Sequence, residues 1–178
     1  PYRKFFPSYQ PQKIIENSSY RPIKRSARRI IWKVRRMVQR RRLTAALGYI
    51  SAEKIRNILG RTGFDLGRAH IAAGWFFYGN GKKAYRLASA VAARSGKHIP
   101  YAYWIAGLSA YRLRNFVDAA DHFERVALSN KVKGFDQAAA AFWAARANMT
   151  GRRPERVNEW LELATSHPQT FYGILARR

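Results

Sequence analysis

Cysteine is absent from the chain, and with it go disulfides, thiol nucleophiles and every cysteine-based zinc site. Acid is scarce: 10 Asp and Glu stand against 34 Lys and Arg, a formal charge of +24 on 178 residues. Long apolar stretches are missing too. The longest run free of charged side chains, as at His98–Tyr111, is fourteen residues, too short to cross a bilayer as a helix. No segment alternates with the period of a strand, so no Gly-rich loop follows one, and Gly79-Asn80-Gly81 reads as a turn rather than a phosphate cradle. The four histidines, His70, His98, His122 and His167, have neither the pairing nor the spacing of a metal site. No metal ligand and no cofactor is assigned from this sequence.

The scarcity of acid bears on catalysis. Cleaving a glycosidic bond needs a carboxyl held in an apolar setting that keeps its proton. The carboxylates here, among them Glu53, Asp65, Asp118, Glu124, Asp136 and Glu159, read as helix caps, first-turn residues or members of polar faces. No catalytic residue is assigned.

What is present is apolar surface and basic charge. Hydrophobic residues make up 47% of the chain and aromatics 14%, enough buried area to offset chain entropy and fold. A +24 domain of this size calls for an anionic neighbour: nucleic acid, a membrane surface or a cell-wall polymer bearing carboxylates.

Residues 1–22 carry four of the seven prolines and five aromatics without a helical period, and read as an extended arm. Residues 23–42 follow as a basic helix, with Ile23, Ala27, Ile30, Val34 and Met37 recurring at spacings of four and three along one side. Arg28, Arg29, Arg35, Arg36, Arg40, Arg41 and Arg42 occupy the other faces and are the candidate contacts for an anionic partner. Fourteen basic residues against Glu16 give residues 1–50 a charge of +13. Three roles fit this helix: contact with nucleic-acid backbone, adsorption on an anionic membrane, or ordinary packing with a solvated arginine face. The stretch 43–60 reads as a short helix and then SAEKIRNILG, with Ser51 as N-cap and Gly60 as its C-terminal stop.

From residue 65 the chain reads as helix hairpins at 65–96, 100–129 and 136–165, with a closing helix beginning at 168–178. Asn80, Asn115 and Asp136 are the expected caps, and Asp118 lies three residues after Asn115 in a capping-box position. Ile71-Ala72 matches Ile105-Ala106, Asn80 matches Asn115, and Ala92 matches Ala127, at offsets of 34 or 35. A period of this size marks stacked helical hairpins. The predicted fold class is therefore all-α, a tetratricopeptide (TPR)-like α-solenoid or partial superhelix. Trp104, Gly107, Leu108, Tyr111, Ala120 and Ala127 fall near tetratricopeptide positions, while Phe123 is one place out and no closing proline follows. The aromatics Trp75 to Tyr78, Tyr101, Tyr103, Trp104 and Tyr111 read chiefly as core, with sugar or base stacking as the alternative role. Arg68, Arg86, Arg94, Arg112 and Arg114 read as a solvated or concave basic face.

The C-terminal stretch AAAAFWAARANMTGRRPERVNEWLELATSHPQTFYGILARR carries a resemblance. Phe142 and Trp143 in an Ala-rich helix, Trp160 in the next, the stop at His167-Pro168, and Thr170-Phe171-Tyr172-Gly173 resemble the end of the superhelical domain of soluble lytic murein transglycosylases. The likeness is specific over about 135–178 and looser back to Asp65. It implies a helical scaffold that contacts peptidoglycan strands or muropeptides in the periplasm. It also implies a lysozyme-like catalytic domain after Arg178, cleaving between N-acetylmuramic acid and N-acetylglucosamine to leave a 1,6-anhydro product. The family's Glu-Ser and Gly-Leu-Met-Gln catalytic motifs do not occur in this chain, so these residues would not be catalytic alone. The roles implied for Phe142 to Gly173 are structural. A basic module on nucleic-acid backbone and a protein-binding repeat adaptor are the alternative functions.

Overall fold

The structure, a computed structural model, describes residues 25–177. Among them are nine α-helices and no strand. The arm 1–22 and the first two residues of the expected basic helix lie outside the described residues.

Helix α1 spans Arg25–Gln39 and buries Ala27, Ile30, Ile31 and Val34. Ile31 joins the expected stripe because a stripe facing a protein core is wider than a strict four-three seam. Trp32 is 58% exposed, with the Arg36 guanidinium 4.7 Å from its ring centroid. The helix ends before 42: Arg42 N–H bonds to the Met37 carbonyl at 2.9 Å across Arg41, whose φ is 58°. That is a Schellman closure, normally built on glycine. The same closure recurs at Arg114 and Arg152, with φ of 63° and 62°, where Asn115 and Arg153 N–H reach back to the carbonyls of Ala110 and Asn148.

Helix α2, Leu43–Ser51, is followed at once by α3, Glu53–Phe77. The expected cap at Ser51 is not formed. Ser51 completes α2, and the break falls on Ala52, extended at ψ 131°, with no side-chain cap for α3. Gly60 does interrupt α3, at φ 62° and ψ −179°, a conformation essentially restricted to glycine. The helix resumes immediately, so the first hairpin begins near residue 61 rather than 65.

Helix α4 is Gly81–Ser95, α5 is Pro100–Arg112, and α6 is Phe116–Ala127. Asn80 caps α4, accepting from Lys83 N–H at 3.0 Å. Asn115 caps α6 through Asp118 N–H, but the Asp118 carboxylate does not fold back in a capping box. It accepts from Asn115 Nδ2 at 2.6 Å and from the Tyr85 hydroxyl at 2.5 Å, tying α6 to α4. Helix α7, Phe135–Thr150, starts after Gly134 with no side-chain cap, so Asp136 lies in its first turn and is not the cap expected. A 3-10 turn at Pro154–Arg156 leads into α8, Val157–Thr165, and α9, Phe171–Ala176, ends the described chain.

From α3 onward each helix packs on its neighbours in the sequence, while α1 packs chiefly on α3 across α2. Helix α3 also meets α1 and α5, and α9 lies on both α7 and α8. Alanines make this close approach affordable: Ala138 to Ala141, Ala144, Ala145 and Ala147 of α7 are all buried. Between α5 and α6 the spacing is set by Gly107, where an added Cβ would stand 2.7 Å from the Phe123 ring. Phe123 is fully buried there, with the Trp104 ring 5.3 Å away edge-on; burial of such a side chain stabilises by about 1.5–3 kcal/mol. Phe123 thus takes a core position although it sits one residue off the tetratricopeptide pattern.

Candidate functional site

The seven candidate arginines do not form one uniform face. Arg28, Arg29, Arg36, Arg40, Arg41 and Arg42 are exposed, whereas Arg35 is half-buried. Arg35 turns into a cleft of about 150 Å3 where α1, α3 and α5 meet, lined also by Gln39, His70, Phe77, Tyr78 and Tyr101. Arg41 approaches the same cleft from its rim, 5.0 Å from the Tyr78 ring centroid. The Tyr78 hydroxyl donates to the Gln39 carbonyl at 3.3 Å, holding the end of α3 against the end of α1. The basic helix and the aromatic run, taken separately in the sequence, therefore meet at one place.

The protonation of this cleft follows from its surroundings. Burial, reinforced by the charge of Arg35, pushes His70 down to about 3, so its imidazole is neutral at physiological pH. Burial raises the Tyr101 phenol above its ordinary value, partly opposed by Arg35. The cleft thus presents one cation, a neutral imidazole, a phenol, an amide and two aromatic faces. Such a lining suits a hydroxyl-rich ligand carrying an anionic group.

Glu53, Asp118, Asp136 and Glu159 lie in first turns, within expectation, but two acids do not. Asp65 is fully buried, accepting from Arg94 Nε at 2.8 Å, from Arg94 Nη2, and from the Ser95 hydroxyl at 2.5 Å. Glu124 is also buried, accepting from Asn148 Nδ2 at 2.8 Å and pairing with Arg156 at 3.0 Å. These two join helices rather than cap them. Burial also lowers His122, which Arg125 reinforces and Asp118 and Asp121 oppose. Among the described residues no three His, Asp or Glu side chains gather as metal ligands would, and no helix is long and apolar enough to cross a membrane.

The remaining arginines expected on an open basic face are partly engaged. Arg112 donates to the Phe76 carbonyl at 2.5 Å and stacks 3.7 Å from the Phe76 ring, a cation on the C-terminal end of α3 where the helix dipole favours it. Arg94 is committed to Asp65, and the pairing holds its guanidinium charge more firmly than usual.

The C-terminal signature residues come together as one unit. Thr170 caps α9, accepting from Gly173 N–H at 3.0 Å, and its hydroxyl donates to the His167 carbonyl at 2.8 Å. The His167 ring meets the Gln137 side chain of α7 at 3.2 Å, and Pro168 stays exposed in the turn between. Tyr172 is buried, with Phe142, Phe135 and Phe171 rings between 5.2 and 5.6 Å, and its hydroxyl accepts from Trp143 Nε1 at 3.5 Å. Gly173 packs where a Cβ would run into the His167 backbone. Trp160 of α8 is buried behind α7.

No family model, curated protein or solved structure matches the chain.

Proposed function

We propose that this chain is a non-catalytic scaffold, a stack of helical hairpins of the kind that forms the superhelical arm of a soluble lytic murein transglycosylase, working on peptidoglycan in the periplasm. The observation that carries this reading is the behaviour of the signature segment. His167, Thr170, Tyr172 and Gly173 act together to seat a capped helix on Phe142, Trp143 and Gln137, so residues separated by thirty positions serve one closing contact. Packing of the helices from α3 onward on their sequence neighbours supports the hairpin stack, and the repeat offsets of 34 or 35 in the sequence point the same way. The outer side of α9 exposes Phe171, Ile174 and Leu175, an apolar face suited to covering by a further helix or the lysozyme-like domain that the resemblance implies.

In this reading the cleft of Arg35, His70, Tyr78 and Tyr101 receives saccharide. Sugar faces rest on the aromatic rings, hydroxyls meet Gln39 and the neutral His70, and Arg35 takes a carboxylate of a peptide stem or lactyl group. The bond-cleaving acid belongs to the catalytic domain. The test is a titration of the isolated chain with soluble muropeptides, followed by NMR shifts. Shifts at Tyr78 and Gln39 that disappear in Arg35→Gln support the reading; shifts confined to α9, or none at millimolar ligand, overturn it.

The exposed arginines of α1 favour one other reading, a module bound to nucleic-acid backbone. An unrelated oligonucleotide in a polarisation assay separates the two. Tight binding with a steep loss as salt rises would favour the nucleic-acid module.

A further inference from the structure

A second basic site stands apart from the cleft, around the break in α3. The Gly60 turn opens a cavity of about 490 Å3 lined by Arg56, Asn57, Gly60, Arg61, Phe64 and Arg94. Phe64 is its centre. The guanidinium carbons of Arg56, Arg68 and Arg94 stand 5.3, 5.6 and 5.8 Å from that one ring centroid. Arg61 adds a fourth positive charge on the wall. Guanidinium groups gathered on one ring repel one another, and the ring's quadrupole offsets only part of that cost.

The charge is not balanced from within. The carboxylate in reach is Asp65, and both its oxygens are occupied by Arg94 and Ser95, with Arg68 at 3.4 Å. Glu53, one turn before Arg56, is exposed, and neither it nor any other acid among the described residues pairs with Arg56 or Arg61. Asp65 also orients what it binds. By taking Nε and one Nη2 proton of Arg94, it fixes the guanidinium plane and leaves the Nη1 donors for the cavity that Arg94 lines. The Asn57 side chain lines the wall beside these cations as a further uncharged donor.

We propose that this cavity is an oxyanion-binding site that takes a phosphate-type group of a small ligand. A tetrahedral oxyanion has oxygens for several forked N–H donors at once. Three arginines with an asparagine in an open cavity provide that set, with room for part of the ligand that carries the group. The site lies on α3 and α4, does not involve Arg35 or Tyr78, and does not rest on the glycan reading.

The experiment is calorimetric titration of the chain with pyrophosphate at fixed ionic strength, with inorganic phosphate and citrate as companion ligands. Two variants accompany the wild type: Arg56→Gln/Arg61→Gln, which removes exposed guanidiniums and leaves the Asp65 pair intact, and Arg40→Gln/Arg42→Gln, which removes equal charge from the end of α1. The expected result is saturable 1:1 binding of pyrophosphate, about tenfold or more weaker in the first variant, the size of one lost charge-assisted hydrogen bond, and little changed in the second. Thermal unfolding of both variants in the absence of ligand checks that they fold. Equal weakening in both variants would show diffuse attraction to a basic surface, and citrate binding tighter than pyrophosphate would show a carboxylate site; either overturns the proposal. Loss of muropeptide shifts in Arg35→Gln with pyrophosphate binding intact would separate this site from the cleft.

Discussion

The two ends of the molecule balance their charge to different degrees. Helices α1 to α3 gather arginines with few acids and rest several of them on aromatic rings: Arg36 on Trp32, Arg41 on Tyr78, Arg56 on Phe64. Helices α6 to α8 rest Arg125 on Tyr103 and Arg146 on Trp143, but they also match arginines to carboxylates: Arg153 with Asp121, and Arg156 with both Glu124 and Glu159. The same side chain is thus an open donor at one end and a strut at the other. A cation resting on a ring keeps its charge and N–H groups for a ligand, whereas one paired with a carboxylate is neutralised and held in place. Binding, on this comparison, belongs to the first end and rigidity to the second.

The buried carboxylates give the largest test of that contrast. Asp65 is the exception in the basic end, and its loss would leave the buried Ser95 hydroxyl without its partner and Arg94 turned to solvent. Asp65→Ala should cost about 2–3 kcal/mol, because the carboxylate is fully buried and holds Arg94, Arg68 and Ser95 together. Glu124→Ala should cost less, about 1–2 kcal/mol, because Arg156 keeps Glu159 and Asn148 keeps the Ala144 carbonyl. Urea unfolding midpoints measure both. A larger loss for Glu124→Ala would reverse the assignment of which network bears more of the fold.

Much of the fold was legible from the sequence because alanine and aromatic periodicity and the turn residues Asn80, Asn115 and Pro154 act locally. The buried acids were not, since the reading treated charge as a mark of exposure. A finer signal existed: Asp65 precedes Ala69, Ala72 and Phe76 on one helical stripe, and Glu124 lies between Ala120 and Ala127 on another. The cap at Ser51 failed because Ser51 still belongs to α2, and only the tertiary path set the break one residue later. The cleft was beyond reach of any spacing rule. Arg35, His70 and Tyr101 come from three helices, and packing alone brings them together.

Packing differs from glycine to glycine and can be probed with one methyl group. Gly107→Ala places Cβ against the Phe123 ring and should cost about 1–3 kcal/mol by overpacking. Gly48→Ala in α2 meets nothing within 4 Å and should stabilise by about 0.5–1 kcal/mol through helix propensity. Thermal unfolding of the two variants against the wild type measures them. If Gly107→Ala stabilised as Gly48→Ala does, the Phe123 ring would have room to move away from α5.

A smaller effect at the basic end depends on pH. His70 titrates at about 3 in the folded chain, below its unfolded value, so the unfolded chain binds the extra proton first as pH falls. The stabilisation is therefore complete above pH 6.5 or so and is lost steadily down to about 3, with a loss of roughly 1.5 kcal/mol between pH 6.5 and 5. Stability measured against pH for wild type and His70→Gln checks this. The wild-type curve should fall more steeply below pH 6.5, and parallel curves would show that His70 is hydrated in the native cleft.

The smallest effect concerns the left-handed arginines that close three helices. At Arg152 the backbone has φ 62°, and an L-residue there costs about 1–2 kcal/mol relative to glycine, against about 0.5–1 kcal/mol of extra unfolded-chain entropy that glycine brings. Arg152→Gly should therefore stabilise slightly, by about 0.5 kcal/mol. Arg41 has φ 58° and the same relief available, but it also lies over Tyr78, a contact worth about 0.5–1 kcal/mol at an exposed site. Arg41→Gly should leave stability near the wild-type value. The informative readout is then the difference between the two substitutions in one unfolding series. A gain at 152 without a gain at 41 would mean that the strain at Arg41 is compensated by its place at the rim of the cleft. Equal gains would mean that the ring contact contributes nothing, and that the arginine rim is organised by the helix end alone.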